Sequence, residues 1–405
     1  MKSGTPGFIG SRLRQAREAK ELTITALAEL LELSKQAISQ YENGSKTPNP
    51  NTLDNISELL KFPKTFFMRP LKKEKPNTIF FRSMSAATKR ERIRVKHKLG
   101  WLKEIVDYLR EFIYLKELMI PDFGIGDPLK LSMQEIEDMA TACRRFWNLR
   151  DNPISNIMVL FENYGFIVTY GMLEADKLDA LSEWDTRENT PYIYLGADKE
   201  TAVRSKFDIC HEVGHMVMHR AINERMFANT TNFKIIEEQA NRFAGAFLLP
   251  EGTFLEDLYQ PSLDAFWMLK EKWKVSIELM IMRCRNLGII DADEYRRLWI
   301  NLGRRGWRKK EPLDNSLPIE KPKFLSRSIK LLIEEGLQTK QDIVSSLSLP
   351  GSIIEELAGL PNGYLNLSRS EIEPFPGIKI RSSKNRSSNK AKVIPLKPNG
   401  KTDFS

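Results

Sequence analysis

The chain has 405 residues, 41% of them apolar, enough for two or three domains with ordinary cores. Its three cysteines, Cys143, Cys210 and Cys284, stand far apart with none in a CxxC pair, which argues against a disulfide framework or a cysteine zinc site and fits a reducing compartment. The net charge of +9 is local: residues 71–98 carry +8 and residues 377–405 carry +7, which leaves −6 on the rest. Basic stretches of this kind suit phosphate contact, because each neutralised phosphate releases counterions; a solvated linker and a disordered tail account for the same charge. The N-terminus MKSGTPGFIGSRLRQ lacks the apolar core of a signal peptide, and no apolar run is long enough to span a bilayer. A cytoplasmic protein without membrane contact is expected.

Residues 1–70 read as short helices with tight turns. Residues 71–150 read as a basic linker and a helical segment, with apolar positions at Leu102, Ile105, Val106, Leu109, Phe112 and Ile113 that predict a helix over 99–118. MQEIEDMATACRRFW predicts another, and Ile154, Ile157, Met158 and Phe161 a third, ending near Gly165. The pattern then changes. FIVTY, LDALSEW and PYIYL are short β-branched or aromatic runs, which predicts three strands. Two helices follow, one with HEVGH and one with EEQANRFAGAFLLP, and 262–301 reads as all helical. Residues 151–312 thus form one unit, 313–376 a small C-terminal helical segment, and 377–405 a basic tail expected to be disordered. The fold class is α+β and mostly helical.

In LTITALAELLELSKQAISQYENG, Leu27, Ala28, Leu31 and Leu33 line one side of a helix and its turn. Ser34 suits the N-cap of the next helix, KQAISQYEN, which buries Ile38 and part of Tyr41. Its outer face presents Lys35, Gln36, Ser39 and Gln40, side chains suited to a major groove: glutamine pairs bidentately with adenine, and lysine reaches guanine or phosphate. Leu53, Ile56, Leu59 and Leu60 supply a further helix. Residues 8–70 resemble the phage-repressor-like (Xre/Cro-type) helix-turn-helix family. The resemblance implies a five-helix domain whose third helix enters the major groove of double-stranded DNA, with Gln36 and Gln40 at base-reading positions, expected as a homodimer on a two-fold operator. Two positions depart from the family: Ile24 stands where a phosphate-orienting glutamine is common, and Glu32 replaces the turn glycine.

RSKFDICHEVGHMVMHR carries two histidines four residues apart, so on a helix both imidazoles share one face and reach one ion. Glu212, beside His211, is placed to take a proton from water activated there. Three of the four histidines of the chain fall in this segment. A catalytic zinc site needs three protein ligands and an open position. The third is His219, Glu237 or Glu238. His219 shares the face, but three ligands in a row along a straight helix cannot converge on one tetrahedral ion. In IIEEQANRFAGAFLLP the apolar stripe runs Ile236, Ala240, Phe243, Phe247; Glu237 borders it and Glu238 points further out, which favours Glu237, with Asn241 as its neighbour one turn on. Tyr192, Tyr194 and His219 are candidates for the donor that a developing oxyanion needs.

DALSEW, PYIYL, the HEVGH segment, EEQANRFAGAFLLP and the downstream LKEKWKVSIELMIMRCRNLGII, over about residues 150–312, resemble the ImmA/IrrE family of metallopeptidases. The resemblance implies a zincin-like domain with zinc on His211, His215 and Glu237, and Glu212 as catalytic base. It also implies a protein substrate, a helix-turn-helix repressor or the chain itself. Three functions follow: a DNA-binding regulator that is also a zinc-dependent endopeptidase, a transcription factor whose second domain senses a ligand or metal, or an antitoxin-like protein that binds a partner.

Overall fold

A computed structural model describes residues 4–71, 79–81, 88–174, 178–197 and 201–366. The tail over 377–405 lies outside the described residues, as do 72–78 and 82–87 of the basic stretch.

The chain opens with α1 (Gly10–Ala19), α2 (Ile24–Leu30), α3 (Lys35–Glu42) and α4 (Pro50–Leu60), closed by a 3-10 helix, Lys64–Met68, as fifth helical element. Three of these helices start on side chains that accept an otherwise orphaned backbone N–H: Thr23 from Ala26, Ser34 from Ala37 and Asn49 from Thr52. Leu27, Ile38, Leu53, Ile56 and Leu60 fill the core, each contributing about 1.5–3 kcal/mol by burial. Glu42 is buried at the end of α3, where Arg17 of α1 holds it through Nε at 2.5 Å and Nη2 at 3.0 Å. Glu32, in the turn between α2 and α3, adopts φ 54°, the left-handed conformation that a glycine takes without strain.

Next come β1 (Ile79–Phe81) and α5 (Lys89–Leu109). After them follow α6 (Met133–Phe146), α7 (Ile157–Asn163), β2 (Ile167–Gly171), β3 (Ala180–Asp185) and β4 (Thr190–Gly196). The helices α8 (Ala202–Met218), α9 (Glu224–Ala228) and α10 (Thr230–Leu248) come next, then α11 (Glu251–Asp257), α12 (Leu263–Trp273), α13 (Ile277–Asn286) and α14 (Ala292–Arg304). The described chain ends with α15 (Phe324–Glu334), α16 (Lys340–Leu347) and α17 (Gly351–Ala358).

The three expected strands form, and a fourth joins them. The sheet order is β1-β3-β4-β2, with β3 antiparallel to both β1 and β4, and β2 parallel to β4. The edge strand β1 comes from the basic stretch, where its three apolar residues are too short a run to stand out among the charges. Side chains alternate across this sheet. Leu181, Tyr192 and Tyr194 face a core shared with α5, whereas Ala180, Ile193 and Leu195 face the core that contains α8 and α10.

The helix expected over 99–118 starts ten residues earlier and ends at Leu109. A reciprocal cap between Thr88 and Glu91 starts it, and Arg94 and Val95 are already buried inside the basic run. One side of α5 meets the N-terminal module: Trp101 packs on Phe62 and Phe66, and Glu104 accepts from the fully buried Arg12 at 2.8 Å. Another side meets the sheet, where Lys103 donates to Glu183 at 2.6 Å. Leu325, Ile329 and Leu332 of α15 and Ile354 and Leu357 of α17 belong to the same core. The C-terminal segment expected over 313–376 therefore packs, up to Asn366, as part of the body that holds the N-terminal module.

Helices α1 and α3 touch through backbone. A Cβ on Gly10 would lie 2.0 Å from the Tyr41 carbonyl oxygen and 2.7 Å from that of Glu42. Gly10→Ala should therefore push α3 outward and cost about 3 kcal/mol or more. Thermal unfolding of the full chain reads this as a lower Tm, accompanied by weaker DNA retention; an unchanged Tm would show that α1 and α3 are not in backbone contact.

Candidate metal centre and nucleic-acid face

The helix α8 lies between the sheet and α10 and is buried along most of its length. Gly214 lets α10 approach, since a Cβ there would meet the Phe243 ring at 3.0 Å. His211, Glu212 and His215 are each 0% exposed. The Nε2 atoms of His211 and His215 stand 3.0 Å apart. Glu237 of α10 completes the group, with its carboxylate oxygens 3.5 Å from His211 Nε2 and 3.3 Å from His215 Nε2. Glu238 next to it is exposed.

These three side chains offer ligand atoms that lie within 4.8 Å of one another. Two imidazole nitrogens and one carboxylate oxygen are borderline donors of the kind a zinc-like ion takes, with a position left open. A tetrahedron with bonds of about 2.0–2.1 Å has edges of roughly 3.3 Å; the 3.0 Å between the two Nε2 atoms is close to one such edge, and Glu237 brings Oε2 to 3.5 Å from His211 and Oε1 to 3.3 Å from His215. The residues present fit a divalent metal. Burial pushes the Glu237 carboxyl up, but the adjacent imidazoles of His211 and His215 outweigh it and bring it down to about 2, so it is an anion at neutral pH.

The neighbours of the group are set by α10 and by β3. Asn241 Oδ1 lies 3.0 Å from His211 Nδ1. His219 stands just past the end of α8, with Nδ1 2.9 Å from His215 Nδ1 and Nε2 2.9 Å from Gln239 Oε1. It is directed at His215 and Gln239. Burial and the adjacent His215 bring its pKa down to about 3, which keeps it neutral. Ser182 on β3 donates its hydroxyl to Glu212 Oε2.

Tyr192 and Tyr194 are not brought to this group, which corrects their candidacy as oxyanion donors. Both alternate to the α5 side of the sheet, and Tyr194 donates to Glu356 Oε1 at 3.1 Å. The strand was legible in the sequence, but which of its faces meets α8 was not. Ser182 and Gln239 were missed. A serine within an otherwise apolar strand face gives little signal. Gln239 did give one: it lies three residues from Ile236 and four from Phe243, a polar residue on an apolar stripe, and it is buried.

On the N-terminal module, Lys35, Gln36 and Ser39 are exposed and Gln40 is partly so, while Ile38 between them is buried. All four lie on α3, as a helix that reads a groove requires. Among the described residues, no helix is long and apolar enough to cross a membrane.

A helix-turn-helix module and an HExxH helix facing a glutamate-bearing helix together mark a helix-turn-helix domain joined in one chain to a metallopeptidase-type domain. Comparison with known families agrees part by part. Residues 13–67 match the family model described as helix-turn-helix, and residues 155–285 match that of the M78 peptidases, described as an IrrE N-terminal-like domain. Over 55 residues, 13% of this chain, the sequence is 40% identical to an uncharacterized HTH-type transcriptional regulator of Bacillus subtilis, RghRB. The match covers 40% of that relative.

The burial pattern on α10 separates its two adjacent glutamates. Glu237→Gln should weaken divalent-metal binding by more than the roughly 10–100-fold that loss of an outer partner costs, while Glu238→Gln should leave it unchanged. Metal titration against a competing chromophoric chelator measures both; the reverse ranking would place the ligand on the other face of α10.

Proposed function

We propose that this chain is a DNA-binding transcriptional regulator whose second domain is a zinc-dependent endopeptidase. The observation that carries the reading is the convergence of His211, His215 and Glu237 with Glu212 alongside. A bound zinc ion supplies Lewis-acid activation of water and of a scissile carbonyl. His211, His215 and Glu237 would hold it, and Asn241 and His219 would orient the two imidazoles. Glu212 takes a proton from the attacking water and passes it to the leaving amine. The Ser182 hydroxyl fixes the rotamer of Glu212 for that transfer. A purely structural zinc site has no use for a buried carboxylate in this position.

The substrate class that fits a peptidase fused to a repressor-like module is a helix-turn-helix repressor, or the chain itself. The structure weighs against one form of the second. A cut in the basic stretch would leave the N-terminal module seated on α5 through Trp101, Phe62 and the buried Arg12–Glu104 pair. Nicking alone would therefore not release it, which favours a separate repressor as the target. The reading without turnover, in which the domain senses a ligand or binds a partner, rests on a different observation: His211, Glu212 and His215 are all fully buried, so a peptide needs an opening motion to reach them.

Purified protein should hold about one zinc per chain, and His211→Ala or His215→Ala should lose it. Glu212→Gln should retain zinc and fold but stop hydrolysis. Wild type and Glu212→Gln, expressed in the native host under DNA damage and other stresses, are to be compared by intact-mass spectrometry of this chain and of neighbouring repressors. Shortened species confined to wild type are expected; identical masses in both strains under every stress would favour the sensing reading.

For the DNA face, we propose base reading by Gln36 and Gln40, with Lys35 and Ser39 beside them, in a homodimer on two half-sites. Gln36→Ala and Gln40→Ala should each lower discrimination between operator and unrelated duplex by about 1–3 kcal/mol, with the salt dependence of binding unchanged. A uniform loss on all sequences with a shallower salt slope would instead make these residues phosphate contacts.

A further inference from the structure

We infer that His219 and Gln239 form a hydrogen-bond chain that fixes the proton of His215 on Nδ1, and thereby holds its Nε2 as a ligand. The inference rests on the reading of His211, His215 and Glu237 as a metal site.

The chain starts at a backbone carbonyl, and that start gives it direction. Gln239 Nε2 donates to the carbonyl oxygen of Pro128 at 2.8 Å. A carbonyl only accepts, so the amide nitrogen of Gln239 must face it, and Oε1 must face the other way. Oε1 lies 2.9 Å from His219 Nε2. An amide oxygen only accepts, so His219 Nε2 carries a proton. His219 is fully buried, and its two ring nitrogens face Gln239 and His215. As a neutral ring protonated on Nε2, it has a lone pair on Nδ1. That lone pair faces His215 Nδ1 at 2.9 Å, so the proton between them belongs to His215. With its proton on Nδ1, His215 carries its lone pair on Nε2, the atom that faces His211 Nε2 and Glu237.

The carbonyl that sets this direction is itself fixed. Pro128 opens a short 3-10 turn, Pro128–Lys130, and Asp127 caps it by accepting from Leu129 N at 3.1 Å. Gln239 is buried and sits on α10, the helix that also carries Glu237 and Asn241. Asn241 performs the equivalent task for His211 in one step, with Oδ1 3.0 Å from His211 Nδ1. One helix therefore supplies a ligand and orients both imidazoles, directly for His211 and through His219 for His215. His219 and Gln239 are positioning residues: each acts on the site through His215.

The test uses two substitutions at His219 that rank oppositely under packing and under hydrogen bonding. Glutamine offers His215 an acceptor and Gln239 a donor; phenylalanine fills the space of the ring and offers neither. His219→Gln should keep zinc affinity, and His219→Phe should lose roughly 10–100-fold, the usual cost of an outer partner of a ligating histidine. Gln239→Leu should fall with His219→Phe. A packing role reverses the first pair. The second measurement needs no metal. With four histidines in the chain, selective 15N-histidine labelling of the full-length protein gives four ring systems, and long-range proton–nitrogen correlation reads their tautomers. His215 is expected as the Nδ1–H form and His219 as the Nε2–H form. His219 in the Nδ1–H form, or Gln239→Leu and His219→Phe with wild-type zinc affinity, would overturn the chain. If wild type binds no zinc but shows the expected tautomers, the chain stands and the metal reading fails.

Discussion

Helix α5 is the constraint on which the rest of this body depends, because it is buried on several sides at once. A helix at a protein surface offers one apolar stripe and keeps its charges in water. Here Lys103, Glu104 and Arg94 are buried along with Leu99, Leu102, Ile105 and Val106. Each of these charges has left water only because a partner on another element meets it: Glu183 on β3, Arg12 on α1, and the backbone carbonyl of Leu173. Removing one member of such a pair costs about 3–5 kcal/mol, since the other is left buried and uncompensated. The pairs thus specify where the N-terminal module and the sheet sit on α5 more than they add to stability. The sheet is in turn held with one face on α5 and the other on α8, and that second face presents Ser182 to Glu212.

The candidate metal centre follows from the same layering. Burying His211, His215 and His219 along and just past one helix is costly unless every ring nitrogen has a partner. The helix α10 supplies those partners from the far side, through Glu237, Gln239 and Asn241. Phe243 packs against Gly214 and fixes the distance between the two helices. The spacing of the ligand atoms is therefore set by apolar packing as much as by the polar groups themselves.

The N-terminal helices were legible in the sequence because their signals are local: Ser34 caps a helix that begins one residue later, and Ile38 falls at the right phase behind Gln36 and Gln40. The grouping of His211, His215 and Glu237 was legible for the same reason, since helical period alone puts the two histidines on one face and the apolar stripe of α10 orients the glutamate. What depends on sheet register was not. The phase of β4 decides that Tyr192 and Tyr194 turn from the site, and no local pattern announces it when both faces are buried. Strand β1 was hidden among lysines and arginines. The early start of α5 was hidden likewise, because Arg94 reads as solvated until Glu21 and the Leu173 carbonyl appear beside it.

The core around α5 also runs, within the described residues, from Phe8 to Leu365. Arg69, at the exit of the N-terminal module, donates to the carbonyl of Leu347, and Lys98 pairs with Glu356 at 2.7 Å. On the ribosome, α5 is complete long before α15 and α17 emerge. Through that interval the surface destined for Leu325, Ile329, Leu332, Ile354 and Leu357 stays wet, on a helix whose other sides have already found their partners. Contacts this distant in sequence form late and slowly. The nascent protein thus carries an exposed apolar strip for most of its synthesis, of the kind chaperones shield. Premature termination before residue 324 would leave a chain whose helix-turn-helix and HExxH segments are both present, and whose shared core has an open side.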